Sequence, residues 1–337
     1  MSNPRIHAQI AAVGAYLPER VLTNADLERM VDTSDEWILT RTGIRERHIA
    51  APGEATSDLS AAAARVALQR AGIEATELDL IIVATSTPDH VMPSAACLTA
   101  AKLGVECAAF DLNAACSGFV YALHTAAGLI EAGRARTALV VGADTLSSIV
   151  DFTDRGTCVL FGDGAGAVVL RAADQPGVMS TVLGSDGTGA EQLIVPAGGS
   201  KYPYDETRAA AREQFLRMNG PEVFKFAVRV IPRATEQALK ASGHDVADLD
   251  WLVPHQANQR ILNTVEERLG IDHAKVFSNL DRTGNTSAAS IPLALDDLYT
   301  SGRLSPGDLL ALVGFGAGLT WGAAVVTWTA DRPHEEA

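Results

Sequence analysis

The sequence predicts an α/β protein built from two similar halves, which we place at residues 1–172 and 173–337. Short apolar, β-branched segments such as LIIVAT (80–85) alternate with helical patterns, which is typical of buried sheets in α/β proteins. AGIEATELDL (71–80) resembles SGHDVADLDW (242–251), with the same glycine and Leu-Asp spacing 171 positions later. A helical pattern precedes each copy and an apolar, strand-like run follows it, which indicates a duplication.

A second pair of segments supports the duplication. EAGRARTALVVGAD (131–144) resembles TSGRLSPGDLLALVGFG (300–316), at an offset of 169 positions between Gly133 and Gly302. No long linker separates the halves, so we expect them to pack against each other as one body. The polar stretch 185–222 has no clear periodicity and is interpreted as a surface excursion that borders a site.

Composition and charge exclude several classes of protein. Apolar residues make up 47% and charged residues 20% of the 337 positions, which fits a soluble protein with a sizeable core. No apolar stretch is long enough to span a membrane, and no secretion signal is recognised, so we expect a cytoplasmic protein. A net charge of −14 argues against nucleic acid or an anionic membrane as a partner. The four cysteines include no CxxC pair, which favours reduced thiols over disulfides or zinc.

The duplication directs attention to Cys116. Adding the 169-position offset to Cys116 gives Asn285, and both residues lie among small residues just before a helical pattern. A thiol at a helix N-terminus ionises more easily, and free N–H groups there can bind an oxyanion. A buried structural cysteine at a tight strand–helix junction explains the spacing equally well. For Cys97, Cys107 and Cys158 we predict only a structural role.

His255 is the third candidate. It directly follows an apolar strand, where α/β proteins place functional groups, and Gln256 and Asn258 lie beside it. A lone histidine is more often structural, but the polar cluster favours function. The turns GDGAG (162–166) and GFGAG (314–318) lack the GxGxxG spacing and precede strands, so we exclude dinucleotide binding. Close backbone approach or an oxyanion donor fits the second turn better.

Seven motifs along nearly the whole chain resemble the β-ketoacyl-acyl-carrier-protein synthase III family, the condensing enzymes that start bacterial fatty-acid chains. The motifs occur in this order: VDTSDEWILTRTGIRERHIA (31–50), FDLNAACSGFVYAL (110–123), DRGTCVLFGDGAGAVVL (154–170), NGPEVFKFAV (219–228), DWLVPHQANQRI (250–261), DRTGNTSAAS (281–290) and GFGAGLTWG (314–322). The resemblance implies the thiolase-like fold, in which two duplicated halves form a five-layered αβαβα core.

The resemblance also implies a catalytic triad of Cys116, His255 and Asn285. The backbone N–H groups of Cys116 and Ala317 would form the oxyanion hole for acylation. Cys116 would take an acyl group from acetyl-CoA or a similar primer, and malonyl-acyl-carrier protein would lose CO2 and attack it. His255 and Asn285 would stabilise the enolate, and no metal or redox cofactor is implied.

Binding residues follow from the resemblance in the same way. The CoA contacts would be Trp37 against adenine, Arg155 on its other side, Thr33 and Arg41 on the nucleotide, and Asn258 on the pantetheine arm. Without the family, Trp37 is interpreted as a helix anchor and the arginines as ion-pair partners. Phe161 would form a wall of the primer pocket, and Met92 of a homodimer partner would line its far end. The family often has an aromatic residue where Met92 stands, so a longer or branched primer would fit.

A basic patch is predicted on an acidic chain. Lys225, Arg229 and Arg233 are spaced by four and share a helix face, and Arg260 is the fourth member. We interpret the patch as a docking surface for the acidic acyl carrier protein.

Other functions compete with this interpretation. A thiolase needs a second cysteine in the C-terminal half, and none follows Cys158; elongating synthases have His where Asn285 stands. A polyketide starter synthase or an acyltransferase of the same fold shares the triad and stays open. The local signatures of cysteine proteases are absent, and such hydrolases do not need two similar halves. Non-catalytic partners of condensing enzymes usually lack the cysteine.

Overall fold

The structure is a computed structural model that describes residues 6–331. Its strands are β1 (His7–Tyr16), β2 (Arg20–Thr23), β3 (Glu46–Ile49), β4 (Leu80–Ala84), β5 (Ala108–Leu112), β6 (Thr137–Asp144), β7 (Gly164–Ala173), β8 (Val178–Ser185), β9 (Leu193–Ile194), β10 (Arg217–Met218), β11 (Trp251–Pro254), β12 (Leu309–Gly316) and β13 (Thr320–Thr327). Its α-helices are α1 (Asn24–Glu28), α2 (Asp35–Thr42), α3 (Thr56–Ala71), α4 (Ala95–Leu103), α5 (Gly118–Glu131), α6 (Arg155–Cys158), α7 (Glu206–Ala210), α8 (Gly220–Ser242), α9 (Gln259–Leu269), α10 (Leu280–Thr283) and α11 (Ser290–Thr300). No helix in this range is long and apolar enough to cross a membrane.

Two large sheets repeat one strand order. The first sheet runs β1-β7-β6-β4-β5, and the second runs β8-β13-β12-β11. In the first sheet β4 and β6 are parallel, and in the second sheet β11 and β12 are parallel. The remaining neighbours, β6-β7 and β7-β1 in the first sheet and β12-β13 and β13-β8 in the second, are antiparallel. Strand β5 pairs with β4 at the edge of the first sheet. At the same position in the second sheet, beside β11, there is only a single parallel bridge between Leu252 and Val276. The sheets therefore repeat the order expected of a duplicated fold.

The sheets alternate with helices in five layers. Helices α3 and α4 cover the outer face of the first sheet with a core that includes Leu59 and Ile81. Helices α5 and α11 lie between the two sheets, where Phe119 and Ile291 are buried against both. Helix α8 covers the outer face of the second sheet together with α9, as the buried Phe226 shows. This arrangement confirms the predicted five-layered αβαβα fold.

Glycines let the central helices approach the sheets closely. A Cβ on Gly142 of β6 would lie 2.1 Å from the Ala288 carbonyl oxygen, and one on Gly314 of β12 would lie 3.2 Å from the Cys116 carbonyl oxygen. Any larger residue would push the turns before α11 and α5 away from their strands. These two close contacts fix how near the turns that contain Ala288 and Cys116 lie to the sheets.

The structure corrects the pairing of Cys116 with Asn285. Helices α5 and α11 begin 172 positions apart, at Gly118 and Ser290, and a 3-10 turn precedes each. Both turns contain a non-glycine residue with positive φ, Ala115 (49°) and Ser287 (52°), again 172 positions apart. Cys116 therefore corresponds to Ala288. The offset of 169 applies only to the turn after the helices, because α11 has 11 residues and α5 has 14; a longer connection to β12 restores the offset of 172 between β6 and β12.

Two further expectations need adjustment. A structural cysteine is expected to be buried, but Cys97 on α4 is exposed and Cys107 before β5 is partly exposed, whereas Cys158 is buried. The stretch 185–222 carries the short pair β9 and β10 along with α7. Arg212 in this stretch pairs with Asp151, and the ion pair holds the pKa of the Asp151 carboxyl below its usual range. The boundary between residues 172 and 173 stays a prediction.

Candidate active site

A cavity of about 670 Å³ opens between the two halves. Cys116, His255 and Asn285 line it and are 8%, 1% and 7% exposed, so they form its buried end. Arg41, Lys225 and Arg260 line it and are exposed, so they form its mouth. The walls between are mainly apolar and include Leu160, Phe161, Leu193, Met218, Val223, Phe224, Ile261 and Phe315. Such a channel admits a long, thin substrate whose reactive end reaches the thiol.

Cys116 lies in the 3-10 turn Ala115–Ser117, immediately before α5. Burial raises the pKa of its thiol to about 12, although a hydrogen bond with Ser287 acts in the opposite direction. The free thiol is therefore protonated at neutral pH, and a proton acceptor is needed when it reacts.

A network of hydroxyl groups joins the nucleophile turn to the glycine-rich turn after β12. Ser117 Oγ donates to Thr320 Oγ1 (2.9 Å), and Thr320 Oγ1 lies 2.9 Å from the Ala114 carbonyl oxygen and 3.2 Å from that of Ala317. A Cβ on Gly316 would lie 2.5 Å from the Cys116 nitrogen, so only glycine permits this approach. Gly316 lines the cavity, and Ala317 follows it at the start of a 3-10 turn.

His255 follows β11 and is held from two sides. Its backbone N–H donates to the Val313 carbonyl (2.7 Å), and its Nδ1 lies 2.6 Å from Ser290 Oγ at the start of α11. Ser290 Oγ also accepts the Gln256 backbone N–H (3.4 Å), so its own hydrogen is free to go to Nδ1. That arrangement puts the imidazole proton on Nε2, the nitrogen left for the cavity. Burial lowers the pKa of His255 to about 3, so the ring is neutral at working pH.

The two polar residues that follow His255 have different roles: Gln256 holds the turn in place, and Asn258 faces the cavity. The Gln256 amide is buried and bonds to the Pro254 carbonyl and to Ser278 Oγ, both at 2.7 Å, so it fixes the turn rather than facing substrate. Asn258 lines the cavity and caps α9, where its Oδ1 accepts the Arg260 N–H (2.9 Å). Its amide nitrogen is then the group that remains for a ligand.

Asn285 presents its amide with a defined orientation. Its backbone pairs with the segment after α6 through the Leu160 carbonyl (2.8 Å) and the Gly162 N–H (3.0 Å). Its Oδ1 accepts the Ser287 backbone N–H (2.9 Å), which leaves the NH2 group for the cavity. Asn285 and His255 Nε2 are therefore two neutral hydrogen-bond donors at the buried end of one cavity.

Asp144, which the sequence did not single out, lies behind the nucleophile. It is fully buried at the end of β6, and its Oδ1 accepts from Thr85 Oγ1 (3.0 Å), the Ser86 N–H (2.7 Å) and Thr87 Oγ1 (2.9 Å). Its Oδ2 accepts the Ala288 N–H (3.2 Å). Asp144 and Gly316 are 172 positions apart, as are Cys116 and Ala288. The N–H that corresponds to that of Cys116 thus binds a carboxylate oxygen in the other half.

The predicted CoA residues gather around Trp37, which lines the cavity with Arg41. The guanidinium carbons of Arg41 and Arg155 lie 4.5 and 4.8 Å from the Trp37 ring centroid. A base that stacks on Trp37 would meet arginine side chains that already lie over this ring. Thr33 does not line the cavity, and its buried hydroxyl has no hydrogen-bond partner among residues 6–331.

The two residues predicted to line the primer pocket, Phe161 and Met92, have different surroundings. Phe161 lies in the cavity wall and pairs through its backbone with Asn285. Met92 is 81% exposed and lies outside the cavity of its own chain, beside Val91, which is 96% exposed. A contribution of Met92 to a primer pocket therefore requires a second chain.

The predicted basic patch lies on the surface. Lys225, Arg229, Arg233 and Arg260 are all exposed, and the first three occupy one face of α8. Only Lys225 and Arg260 line the cavity. Lys225 also pairs with Glu222 (2.6 Å), and Arg233 stacks on Trp321 at 5.0 Å. Lys225 and Arg260, at the mouth, are therefore the members of the patch that lie closest to the cavity.

Two family models and a similar protein of known name point to the same family for this chain. The 3-oxoacyl-[acyl-carrier-protein (ACP)] synthase III model matches residues 110–187, and the model of the C-terminal part of that family matches residues 239–328. A β-ketoacyl-[acyl-carrier-protein] synthase III of Xylella fastidiosa is 54% identical over 97% of this chain and 100% of that protein.

Solved structures share the fold over almost the whole chain. A 3-oxoacyl-(acyl carrier protein) synthase III from Pseudomonas aeruginosa superimposes with a TM-score of 0.90 at 44% identity, covering 97% of this chain and 100% of that one. The priming β-ketosynthase of the R1128 polyketide pathway gives a TM-score of 0.91 at 38% identity, covering 99% of each chain. This fold and these relatives define an acyl-transferring condensing enzyme. The chain belongs to the β-ketoacyl-[acyl-carrier-protein] synthase III family.

Proposed function

We propose that the protein condenses a short acyl-CoA primer, acetyl-CoA or a similar thioester, with malonyl-acyl-carrier protein. The products are 3-oxoacyl-carrier protein, CoA and CO2, and the reaction starts fatty-acid chains. The observation that carries the proposal is the single cavity that joins a buried thiol to two neutral donors, His255 and Asn285. Its length and apolar walls suit a pantetheine arm that carries an acyl group inward.

The first half-reaction is acyl transfer to Cys116. The thiolate attacks the thioester carbonyl, and the tetrahedral oxyanion is stabilised by the N–H groups of Cys116 and Ala317. Support for this assignment comes from the Ala288 N–H, the counterpart of the Cys116 N–H, which donates to the Asp144 carboxylate at 3.2 Å. The same turn in the two halves thus presents its N–H group to negatively charged oxygen.

The second half-reaction is decarboxylative condensation. Loss of CO2 leaves its electron pair on the malonyl carbon, and the resulting enolate oxygen accepts hydrogen bonds from His255 and Asn285. A neutral imidazole is sufficient here, because its Nε2–H can already donate a hydrogen bond to the enolate oxygen. The carbon attacks the acyl-Cys116 thioester, the bond from the acyl carbon to the Cys116 sulfur breaks, and the 3-oxoacyl-carrier protein is released. We expect no metal or redox cofactor, because the electron pair for the new bond comes from the carbon–carbon bond that breaks when CO2 leaves.

A two-substrate assay tests the proposed function. Purified protein with acyl-CoA and malonyl-carrier protein should give 3-oxoacyl-carrier protein and CO2 in equal amounts. Acyl exchange between CoA and carrier protein without a longer product would instead indicate an acyltransferase. The starter-synthase alternative is not favoured, since identity to the synthase III relative is 54% and to the R1128 enzyme 38%.

The mouth of the cavity is proposed to receive the carrier protein and the nucleotide of CoA. Trp37 would stack the adenine once the arginines over its ring move aside, and Thr33 would reach the nucleotide only if its buried hydroxyl, which has no partner among residues 6–331, turned toward the cavity. Lys225 and Arg260 flank the opening with positive charge, and Arg229 and Arg233 extend that charge along α8. An acidic carrier protein would be oriented by this patch.

Charge reversal at the mouth should affect the two substrates differently. Replacing Lys225 and Arg260 with Glu is expected to raise the KM for malonyl-carrier protein by about tenfold or more, since rim charges set encounter and orientation. The KM for acetyl-CoA should change much less. Lys240→Glu, on the same helix but outside the cavity, serves as the control. Equal losses for both substrates would contradict the docking assignment.

We also propose a cytoplasmic homodimer. Strand β5 is an edge strand with β4 as its neighbour in the sheet, and Phe110 on β5, Val91 and Met92 expose 38%, 96% and 81% of their surface. Edge strands and exposed apolar side chains favour pairing with another chain. The free thiols fit a reducing compartment. Sedimentation should give twice the chain mass, and Val91→Glu with Met92→Glu should shift it toward the monomer; a wild-type monomer would contradict the proposal.

A further inference from the structure

Two separate turns must be held together if both N–H groups of the proposed oxyanion hole are to meet one oxygen atom. Cys116 lies in the turn before α5, and Ala317 begins the turn that joins β12 to β13. Gly316 permits their close approach, since a Cβ there would lie 2.5 Å from the Cys116 nitrogen. Close approach alone does not orient two donors, so other contacts must fix one turn relative to the other.

Thr320 carries a hydroxyl that reaches both turns. It is the first residue of β13 and pairs across the turn with Gly316. Its Oγ1 lies 2.9 Å from the carbonyl oxygen of Ala114, two residues before Cys116, and 3.2 Å from that of Ala317. The hydroxyl has one hydrogen, and the shorter distance favours donation to Ala114. Thr320 therefore ties the nucleophile turn to the turn that supplies the second N–H.

Ser117 adds a second hydroxyl to this contact. Its side chain is fully buried, and its Oγ lies 2.9 Å from Thr320 Oγ1 and 2.8 Å from the Ala114 carbonyl oxygen. The two hydroxyls and this carbonyl thus lie within hydrogen-bonding distance of one another. Ser117 can donate to Thr320 while Thr320 donates to Ala114, so each hydroxyl hydrogen has an acceptor. Such a fully bonded cluster restricts the movement of the segments that it joins.

The duplication provides a second copy of this pair of turns, one after β6 and one before α11. Ser148 corresponds to Thr320 at the 172-position offset, and its Oγ donates to the Thr145 carbonyl (2.7 Å) within its own turn. Ala289 stands at the position of Ser117 and carries no hydroxyl. In the part of the chain that the structure describes, Ser148 makes no side-chain hydrogen bond to the turn before α11, so the bridge accompanies the nucleophile turn alone.

We propose that Thr320 and Ser117 are positioning residues of the oxyanion hole for acylation. Their hydroxyl bridge holds the Ala317 N–H beside that of Cys116, so that both donate to one oxygen atom. Neither Thr320 nor Ser117 lines the cavity, so both act through the backbone donors rather than on the substrate. Without the bridge, movement of one turn relative to the other would misalign a donor as negative charge develops. The inference rests on the proposed acylation of Cys116.

Two reactions of the same thiol separate this role from a general structural one. Acylation by acetyl-CoA passes through an oxyanion, whereas iodoacetamide transfers its carbon to the Cys116 sulfur with loss of iodide and forms none. Thr320→Val removes the hydroxyl and should lower the single-turnover rate of acylation by about 10- to 100-fold. The KM for acetyl-CoA and the rate of alkylation, followed on the Cys116 peptide, should stay within about twofold of wild type. Thr320→Ser keeps the hydroxyl and should restore acylation.

Ser148→Ala is the matched control, because it removes the corresponding hydroxyl from the pair of turns that lacks the nucleophile; it should change neither rate. Ser117→Ala is a second variant in case Thr320→Val folds poorly. Alanine suits position 117, since its counterpart Ala289 has a similar backbone conformation. Ser117→Ala should lower acylation by a smaller factor, because Thr320 keeps its own bond to Ala114, and should leave alkylation unchanged.

The outcomes distinguish this inference from the proposed function. Acylation and alkylation that fall together in Thr320→Val or Ser117→Ala would indicate a structural role and overturn the inference. Wild-type acylation in Thr320→Val, or no recovery in Thr320→Ser, would overturn it as well. A wild-type protein whose Cys116 is alkylated by iodoacetamide but not acylated by acetyl-CoA would instead contradict the proposed function, and this inference with it.

Discussion

Replacing Cys116 with alanine will abolish the acyl-enzyme and lower the rate of condensation by at least about 10⁴-fold, because no other group can form the thioester intermediate. Within residues 6–331, Cys116 is the only thiol that lines the cavity. The variant should still decarboxylate malonyl-carrier protein, since His255 and Asn285 are in place and the enolate can take a proton instead of an acyl group. Single-turnover labelling with acyl-CoA and release of CO2 measure the two steps separately.

Cys97→Ala is the matched control for the cysteine substitution. Cys97 is exposed on α4, so its removal should leave labelling and condensation unchanged. Persistent labelling in Cys116→Ala, with loss of label in Cys97→Ala, would show that the wrong thiol has been assigned. Loss of decarboxylation together with labelling would indicate that the alanine variant disturbs the whole cavity.

Removing either donor opposite the thiol should block the second half-reaction and spare the first. In His255→Ala or Asn285→Ala the enolate loses one hydrogen bond that forms fully only in the transition state, which should lower decarboxylation and condensation by about 10²–10³-fold. Acyl-enzyme formation should stay close to the wild-type rate, because we propose that backbone N–H groups hold its oxyanion. Burst labelling with acyl-CoA, followed by single-turnover condensation, distinguishes the two steps.

Asn285→Asp sharpens this test. An aspartate keeps an oxygen that accepts the Ser287 N–H, so the turn stays in place, but it removes the NH2 donor and adds a negative charge beside the enolate. Condensation should fall at least as far as in the alanine variant, with thermal stability little changed. An aspartate variant that condenses at the wild-type rate would contradict the role given to Asn285.

The fold could be predicted because duplication leaves a pattern in the sequence. The 171-position repeat marks α3 with β4 and α8 with β11, and the structure places these pairs at matching positions of the two sheets. A single offset does not hold throughout, however. Helix α11 is three residues shorter than α5, so the turn after these helices has an offset of 169, whereas the helix starts and the strands β6 and β12 have an offset of 172. The sequence therefore placed Asn285 correctly near the site for an incorrect reason.

Residues that act through long-range contacts were not predictable in the same way. Ser290 supports His255 from 35 positions away, and Asp144 meets Ala288 from 144 positions away, so no local pattern contains either pair. One signal was nevertheless present for Asp144. Strand β6 ends in VVGAD and β12 in LVGFG, so the duplication sets a carboxylate opposite Gly316. Gly316 lines the cavity, so this difference between the halves marks Asp144 in the sequence.

The most direct test is to map the acyl group after the protein meets acyl-CoA alone. Incubation with labelled acetyl-CoA, rapid acid quench and peptide mass analysis should place one acyl group per chain on Cys116. Adding malonyl-carrier protein before the quench should remove it and produce labelled 3-oxoacyl-carrier protein. Acylation of another residue, or a labelled Cys116 that malonyl-carrier protein fails to discharge, would contradict the account.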